Sequence, residues 1–262
     1  MDTTHLFSLD GRTALVTGGS RNIGKIIAEA FLEQGAKVYI TSRKAPDCEK
    51  TAEELGPKCI ALPQDVSSLE GVHALAKQLE TLEDELDILV NNAGAAWAEP
   101  FDSFSEHGWD KVIDLNLKTP FFLSQALHSM LSAGAKRGHL AKIINIASID
   151  GLRLNPLDTY SYHASKSGLI FLTKKMAARL VDDGIVVSAI APGAFASEMN
   201  RAARDHEAEV AKEIPLKRIG TAQDMAGAAI FLASRAGDYV VGDTITLDGG
   251  LTHGQYANSH VL

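Results

Sequence analysis

Short apolar runs alternate with longer helical segments along the 262 residues of this chain, and this alternation is the feature that most constrains its fold. Runs rich in β-branched residues predict seven strands, at residues 13–17, 37–41, 59–62, 86–91, 142–147, 185–191 and 244–247. Helical patterns fill the gaps at residues 23–34, 45–55, 68–80, 107–134, 158–182 and 221–234. Most runs lack polar alternation, which is typical of strands buried on both faces. The pattern predicts a doubly wound α/β fold, a parallel seven-stranded sheet with helices on both faces.

The length and composition are those of one α/β domain. Hydrophobic residues make up 45% of the chain and charged residues 22%, which is ordinary for a protein with a large core. We therefore expect a single domain over residues 1–262. Residues 196–215 differ from the rest, because they are charged and helix-prone without a strong apolar stripe, and they are the candidate substrate lid.

Charge, cysteines and histidines argue against several classes of function. The net charge is −8 and no block of Lys or Arg is present, so nucleic acid is not an expected partner. The sequence has neither a signal-like start nor a run of about 18 apolar residues, so we expect a cytoplasmic protein without membrane contact. Cys48 and Cys59 lack CxxC spacing, and the nine histidines form no ligand cluster, so no metal site is expected.

A tyrosine and a lysine form a candidate catalytic pair. Tyr162 and Lys166 are four residues apart, so on a helix their polar ends can reach a common point. A neighbouring ammonium favours the phenolate, and we expect it to lower the tyrosine pKa from its usual value of about 10. Ser148 ends the fifth predicted strand, 14 residues before Tyr162, and its hydroxyl could reach the same substrate oxygen.

A glycine-rich turn follows the first predicted strand and opens a helix. Its residues are Thr17, Gly18, Gly19, Ser20, Arg21, Asn22, Ile23 and Gly24. Glycines here allow a pyrophosphate to approach the backbone at a helix N-terminus, which predicts a dinucleotide site. Asn22 stands where a glycine is usual, and asparagine tolerates a left-handed backbone better than most residues. Alone, such a turn is often only a strand-to-helix connection.

The end of the second strand bears on the choice of cofactor. An acidic residue here would bind the ribose 2′-hydroxyl of NAD, whereas an arginine suits the 2′-phosphate of NADP. Ser42 occupies that position, Arg43 follows, and Arg21 lies in the glycine turn. We therefore expect NADP(H), the alternative being that both arginines are solvated surface residues.

Two further loops follow strands whose carboxyl ends line the predicted crevice. Asp65 and Val66 follow the third strand, and Asp65 could bind the adenine amino group or simply cap the next helix. Asn92, Ala93 and Gly94 follow the fourth strand, where small residues allow a cofactor to come close.

Asn116 lies inside a long helical pattern, where asparagine is unfavourable without a task. Pro120 stands four residues later and has no N–H, so we expect a kink and a freed carbonyl at Asn116 that could hold a water. The alternative is a kink that only fits the helix to the sheet.

Two long helical patterns, at about 107–134 and 158–182, are apolar around more of their circumference than one sheet contact needs. The residues that make them so are Phe121, Phe122, Met130, Phe171, Met176 and Leu180. We expect a subunit interface of a homotetramer or homodimer here; the alternative is a thick core within one subunit.

Together these motifs resemble the short-chain dehydrogenase/reductase family. They occur in the family's order, and the resemblance extends from about Leu9 to Gly250. Within the family they most resemble the 3-oxoacyl-thioester (acyl-carrier-protein) reductases of the rhamnolipid-pathway branch. The resemblance implies a Rossmann fold in which Ser148 orients a carbonyl, Tyr162 is the acid/base, and Lys166 lowers the tyrosine pKa and binds the nicotinamide ribose. It implies that the main chain of Asn116 holds a relay water. It also implies that four residues grip the nicotinamide carboxamide: Pro192, Gly193, Phe195 and Ser197.

The expected activity is NADPH-dependent reduction of a ketone, most simply a 3-oxoacyl thioester, to a secondary alcohol. Another ketone or alcohol, such as a sugar, a steroid or an aromatic ketone, is the first alternative. A cofactor-sensing protein without turnover is the second, and the presence of Ser148, Tyr162 and Lys166 argues against it.

Overall fold

A parallel sheet forms the centre of the protein. The computed structural model describes residue 3, residues 5–197 and residues 200–254. Within these residues the strands are β1 Thr13–Thr17, β2 Lys37–Thr41, β3 Cys59–Ala61, β4 Ile88–Asn91, β5 Ala141–Ile146, β6 Ile185–Pro192 and β7 Thr244–Leu247. Their order is β3-β2-β1-β4-β5-β6-β7, and all pairings are parallel. All seven predicted strands are confirmed, with ends moved by at most two residues.

Helices connect the strands. They are α1 Asn22–Glu33, α2 Ala45–Leu55, α3 Leu69–Glu80, α4 Glu106–Ile113, α5 Thr119–Ala126, α6 His128–Ala135, α7 Tyr160–Leu180, α8 Arg201–Asp205, α9 Glu207–Glu213 and α10 Ala222–Ala233. Among the described helices, none combines the length and apolarity needed to span a bilayer.

The order of strands reverses between β1 and β4. Connections leave β1 toward β2 and β3 on one side, and the chain returns to β4 and β5 on the other. This reversal opens a crevice outside the carboxyl ends of the strands, where doubly wound sheets bind ligands. The glycine turn after β1 and the loops after β4 and β5 all begin at this edge.

Two apolar layers cover the faces of the sheet. Side chains alternate along each strand, so Ala14 and Val16 of β1 pack on the side of α1 and α10, whereas Leu15 packs on the side of α3 and α5. All three are fully buried. Burial on both faces explains why the strands read as continuous apolar runs in the sequence.

The helix predicted over residues 107–134 is not continuous. A π-helical turn, Asp114–Lys118, separates α4 from α5, and Pro120 lies in the first turn of α5. Proline cannot donate to the carbonyl of Asn116, and the winding widens to a π-helical turn there; a kink of the helix stays a prediction. A second break follows α5, where Ser124 Oγ donates to Pro120 O at 2.7 Å, a back-bond that bends helices.

The residues predicted to line a subunit interface divide into two groups. Met130 and Met176 are only 4% and 6% exposed, so they belong to the core of the subunit. Phe171 and Phe121 remain 73% and 37% exposed. The prediction of an apolar interface was therefore wrong for the two methionines, because the helices beside them cover their faces.

The candidate lid contains α8 and α9. Ala203 of α8 is buried against Ile214 and Ile219, which gives this segment a small apolar cluster of its own. Glu198 and Met199 lie outside the described residues.

Candidate active site

Ser148, Tyr162 and Lys166 converge at the carboxyl end of β5. Ser148 follows β5, and its hydroxyl lies close enough to the phenol of Tyr162, in the first turn of α7, to act on its pKa. One turn later, Lys166 Nζ lies 5.6 Å from the centroid of the Tyr162 ring and donates to Ile146 O at 2.8 Å. The structure therefore brings the predicted catalytic residues together.

The predicted effect of Lys166 on the tyrosine pKa is not present in the free protein. The pKa of Tyr162 is raised to about 12, chiefly because burial disfavours the phenolate; the Asp150 charge adds to this, and the Ser148 hydrogen bond opposes it. Lys166 is not among the causes of the shift, since its ammonium lies over the ring and is bonded to a backbone carbonyl. The expectation of a lowered pKa was wrong for the free protein because burial of the phenol is the largest cause of the shift.

Burial acts on the lysine as well. It lowers the pKa of Lys166 to about 8, because a buried ammonium loses its hydration. The site thus holds a neutral phenol beside an amine that gives up its proton more readily than an exposed lysine does. A phenol in this state is suited to donating a proton.

Asn116 connects the active site to the loop after β4. It is 1% exposed and lies in the π-helical turn. Its Oδ1 accepts from Ala95 N at 2.8 Å, and its Nδ2 donates to Ala95 O at 2.9 Å and to Ser165 Oγ at 3.1 Å. We call this arrangement the Asn116 clamp, since it joins the loop after β4 to the helix that carries Tyr162.

The glycine turn has the backbone that close approach requires. Gly18 and Asn22 both have positive φ, 64° and 48°, so the predicted left-handed asparagine is confirmed. A Cβ on Gly24 would lie 2.2 Å from Gly18 O, so the start of α1 packs directly on the turn. No side chain caps α1 and no acidic residue lies in its first turn. Its N-terminal N–H groups and positive dipole end are thus available to an anion.

The Asn92 side chain holds the glycine turn by hydrogen bonds to its backbone. Its Nδ2 donates to Thr17 O at 2.8 Å and to Gly18 O at 3.2 Å. Thr17 Oγ1 in turn accepts from Asn92 N and Ala93 N, both at 2.9 Å. Gly94 follows at the entrance of the Asn116 clamp, where its Cβ would lie 3.3 Å from Asn116 Oδ1.

The expected adenosine end carries two exposed guanidinium groups. Arg21 is the residue directly before α1 and Arg43 follows β2, and neither forms an ion pair within the described part of the chain. Ser42 lies beside them, donating to Lys44 O at 3.4 Å. Two unpaired cations, one in the turn after β1 and one after β2, fit the 2′-phosphate of NADP.

Asp65 does not cap the following helix. Its Oδ1 accepts from Ser67 N at 3.0 Å, while Ser68 is the N-cap of α3 and accepts from Gly71 N. Val66, the other residue predicted here, is buried, and its carbonyl accepts from Thr119 Oγ1 at 2.6 Å. The capping alternative for Asp65 was therefore wrong, which leaves adenine binding as a prediction.

The expected carboxamide segment begins at the end of β6. Pro192 is the last residue of that strand, and a Cβ on Gly193 would lie 2.7 Å from the Asp248 Cβ. Phe195 is buried with its ring against Gly220. Ser197 Oγ accepts from Asn200 N at 2.9 Å.

Sequence reasoning missed two residues of the site. Ser165 is fully buried between Tyr162 and Lys166, and Thr17 holds the loop after β4. Both are polar residues on faces that are otherwise apolar and buried. This polarity is the sequence feature that could have identified them.

An open groove of about 820 Å³ lies beside the N-terminus of α7. His163, which directly follows Tyr162, lines it. Its apolar lining consists of Phe101, Phe104, Trp109, Leu154, Leu157 and Tyr160. In the part of the chain described, no group of three or more His, Cys, Asp or Glu residues is arranged to hold a metal ion.

Known proteins resemble this chain over nearly its whole length. The family model described as enoyl-(acyl carrier protein) reductase matches residues 18–252. A rhamnolipid-biosynthesis 3-oxoacyl-[acyl-carrier-protein] reductase of Pseudomonas aeruginosa is 44% identical, over 93% of this chain and 97% of the relative. Galactitol 2-dehydrogenase of Agrobacterium fabrum is 37% identical, over 92% and 98%. The solved RhlG/NADP active-site complex from P. aeruginosa has a TM-score of 0.90 at 42% identity, over 94% and 98% of the two chains.

Proposed function

The chain belongs to the short-chain dehydrogenase/reductase family and is an NADP-dependent oxidoreductase, and from this premise we propose that it reduces the ketone of a 3-oxoacyl thioester to a secondary alcohol. The observation that carries the reductase chemistry is the convergence of Ser148, Tyr162 and Lys166 at the carboxyl end of β5. The 44% identity to a 3-oxoacyl reductase supports the substrate.

NADPH fits the residues present at the crevice. Gly18, Asn22 and Gly24 give a turn that a pyrophosphate can approach, and the uncapped start of α1 offers N–H groups to it. Arg21 and Arg43 would bind the 2′-phosphate. When bound, NADPH supplies the hydride that reaches the carbonyl carbon.

The remaining cofactor contacts are proposed by position along the crevice. Asp65 and Val66 would lie at the adenine, Asn92 to Gly94 along the middle, and Lys166 at the nicotinamide ribose. At the carboxamide we propose Pro192, Gly193, Phe195 and Ser197.

The protein's own residues handle the proton and the substrate oxygen. Ser148 donates a hydrogen bond to the carbonyl oxygen and fixes it beside the Tyr162 hydroxyl. Tyr162, whose raised pKa keeps it protonated, donates its proton to the oxygen as negative charge develops there. An alkoxide is a stronger base than a phenolate, so the transfer is downhill. General acid catalysis of this kind contributes about 10² to 10⁴-fold.

Lys166 and Asn116 restore and maintain the site. After the transfer the nearby Lys166 can return a proton to the phenolate, because burial lowers the pKa of Lys166 to about 8. Asn116 is proposed to hold a relay water through its main chain, and its side chain holds Ala95 and Ser165 in place.

The groove beside α7 supports an apolar substrate tail. Its volume of about 820 Å³ lies within the usual range for ligand pockets, about 300–1,000 Å³, and its lining includes Phe101, Phe104, Trp109 and Tyr160. Oxidation of a sugar alcohol is the second candidate function, supported by the 37% identity to galactitol 2-dehydrogenase.

We further propose one NADP-binding domain with a lid at residues 196–215, and a homodimer or homotetramer formed through α4–α6 and α7. The exposed rings of Phe171 and Phe121 support this surface, since large exposed apolar side chains on neighbouring helices favour association. Sedimentation of the purified protein tests it, and a Phe171→Glu variant should dissociate.

NADPH oxidation with a panel of ketones tests the function. The panel contains 3-oxoacyl thioesters of short and long chain, keto sugars and cyclic ketones, each compared by kcat/KM. We expect the 3-oxoacyl thioesters to be preferred and Tyr162→Phe to lose turnover while retaining NADPH binding. A preference for keto sugars would support the second candidate instead, and unchanged turnover in Tyr162→Phe would refute the mechanism.

A further inference from the structure

An aspartate next to the catalytic serine has no role in the proposed reaction. Asp150 lies in the 3₁₀ turn Ile149–Gly151, and its backbone N–H donates to Ser148 Oγ at 3.1 Å. A Cβ on Gly151 would lie 2.7 Å from the carbonyl carbon of Lys166, so the turn packs directly against α7. The backbone of Asp150 is therefore fixed beside the reacting groups.

The charge of this aspartate is not neutralised by a neighbour. Its carboxylate is partly buried and makes no hydrogen bond or ion pair with any residue the structure describes. The adjacent cations are engaged elsewhere: Lys166 Nζ donates to Ile146 O, and the Arg153 guanidinium donates to Leu251 O at 3.0 Å and to Leu154 O at 3.4 Å.

The negative charge acts at the reaction centre. After burial, the charge of Asp150 is the other cause that raises the pKa of Tyr162. A partly buried charge is poorly screened by salt, so the same field acts on any ionised group of a substrate bound at Ser148.

We infer that Asp150 determines the charge of the substrate: it disfavours ketones that carry a carboxylate close to the carbonyl and admits ketones whose neighbouring group is neutral, such as a thioester or ester. The inference rests on the proposed function, because Ser148 is taken to hold the carbonyl oxygen. The same serine accepts from the Asp150 N–H, so the substituents of the carbonyl lie near this turn. Specificity of this kind comes from repulsion of the wrong substrate.

A pair of substrates that differ only in charge tests the inference. Ethyl 3-oxohexanoate and freshly saponified 3-oxohexanoate present the same ketone beside an ester and a carboxylate. We expect the wild-type protein to prefer the ester, and Asp150→Asn to reduce the ester-to-acid ratio of kcat/KM by about tenfold or more, since like charges at close range repel by more than 1 kcal/mol. Asp182→Asn is the matched control, because it removes an exposed carboxylate from another 3₁₀ turn, at the far end of α7, and should leave the ratio unchanged.

Different results would refute the role of Asp150 and the proposed 3-oxoacyl thioester substrate. An ester-to-acid ratio that Asp150→Asn does not change overturns the role of Asp150. A ratio that changes while no 3-oxoacyl thioester is reduced sinks the proposed substrate and leaves the role of Asp150 intact.

If neither ketone is reduced, the inference is tested by titrating Tyr162 and following its phenolate absorbance. It is obtained as the difference between each protein and the same protein carrying Tyr162→Phe. Removing the charge of Asp150 should move this titration to lower pH; an unmoved titration overturns the inference. Asparagine keeps the shape of aspartate and the backbone bond to Ser148, and equal NADPH affinity in the two proteins verifies that the site remains folded.

Discussion

Replacement of Asn116 by alanine tests whether the Asn116 clamp holds the site together. The side chain is 1% exposed and makes three hydrogen bonds, two to Ala95 and one to Ser165. At about 1 kcal/mol for each buried bond lost, Asn116→Ala should reduce the free energy of unfolding by about 3 kcal/mol. It should also reduce kcat, because Ala95 and the helix carrying Tyr162 are no longer tied to each other.

The assay is urea unfolding at one protein concentration, with kcat and NADPH affinity measured in parallel. Ser165→Ala is the graded control, because of the three bonds it removes only that of Asn116 Nδ2 to Ser165 Oγ; it also removes the bond that Ser165 Oγ donates to Tyr162 O at 2.8 Å, and it should reduce the stability by about 2 kcal/mol. If Asn116→Ala were no less stable than Ser165→Ala, the two bonds to Ala95 would contribute no more than the single bond from Ser165 to Tyr162, and the reasoning would be refuted.

Three further predictions follow from the cofactor crevice and the buried lysine. Arg43→Ala should weaken NADPH binding at least about tenfold while leaving NADH binding nearly unchanged, as measured by fluorescence titration; equal losses would contradict the assignment of the 2′-phosphate. Gly24→Ala should abolish NADPH binding in the same titration and lower the thermal midpoint, since its Cβ would lie 2.2 Å from Gly18 O. The pKa of Lys166 falls from 10.5 to about 8 on folding, so the unfolded chain holds more protons between these values and stability should rise with pH there. Urea midpoints should therefore increase from pH 8 to 10 relative to Lys166→Met, and parallel curves would refute the shift.

The strands were predictable because burial on both faces makes each strand a nearly continuous apolar run in the sequence. Each strand appears in the sequence as an apolar run between helical segments. Asn22 was equally predictable, because the turn requires a positive φ that few side chains tolerate. The convergence of Ser148 and Tyr162 followed from their places after β5 and on the next helix.

Properties that depend on the packing of distant segments were not predictable. The pKa of Tyr162 is governed by burial, and neither the spacing to Lys166 nor the residue types reveal how deeply the phenol is covered. The burial of Met130 and Met176 likewise depends on which helices cover them. Ser165 joins the site only because the π-helical turn directs Asn116 toward it.

The widened turn at Asp114–Lys118 limits how this region can vary in length. Before it, α4 packs on α7; after it, α5 packs on α3. A π-helical turn closes its hydrogen bonds one residue later than an α-helical turn, so losing a single residue from it would return the winding to an α-helix and leave α4 and α5 on their present faces. The packing of this region would thus survive such a loss, whereas the position that directs Asn116 toward Ser165 would not, and a gap in sequence comparisons should coincide with a change at Asn116.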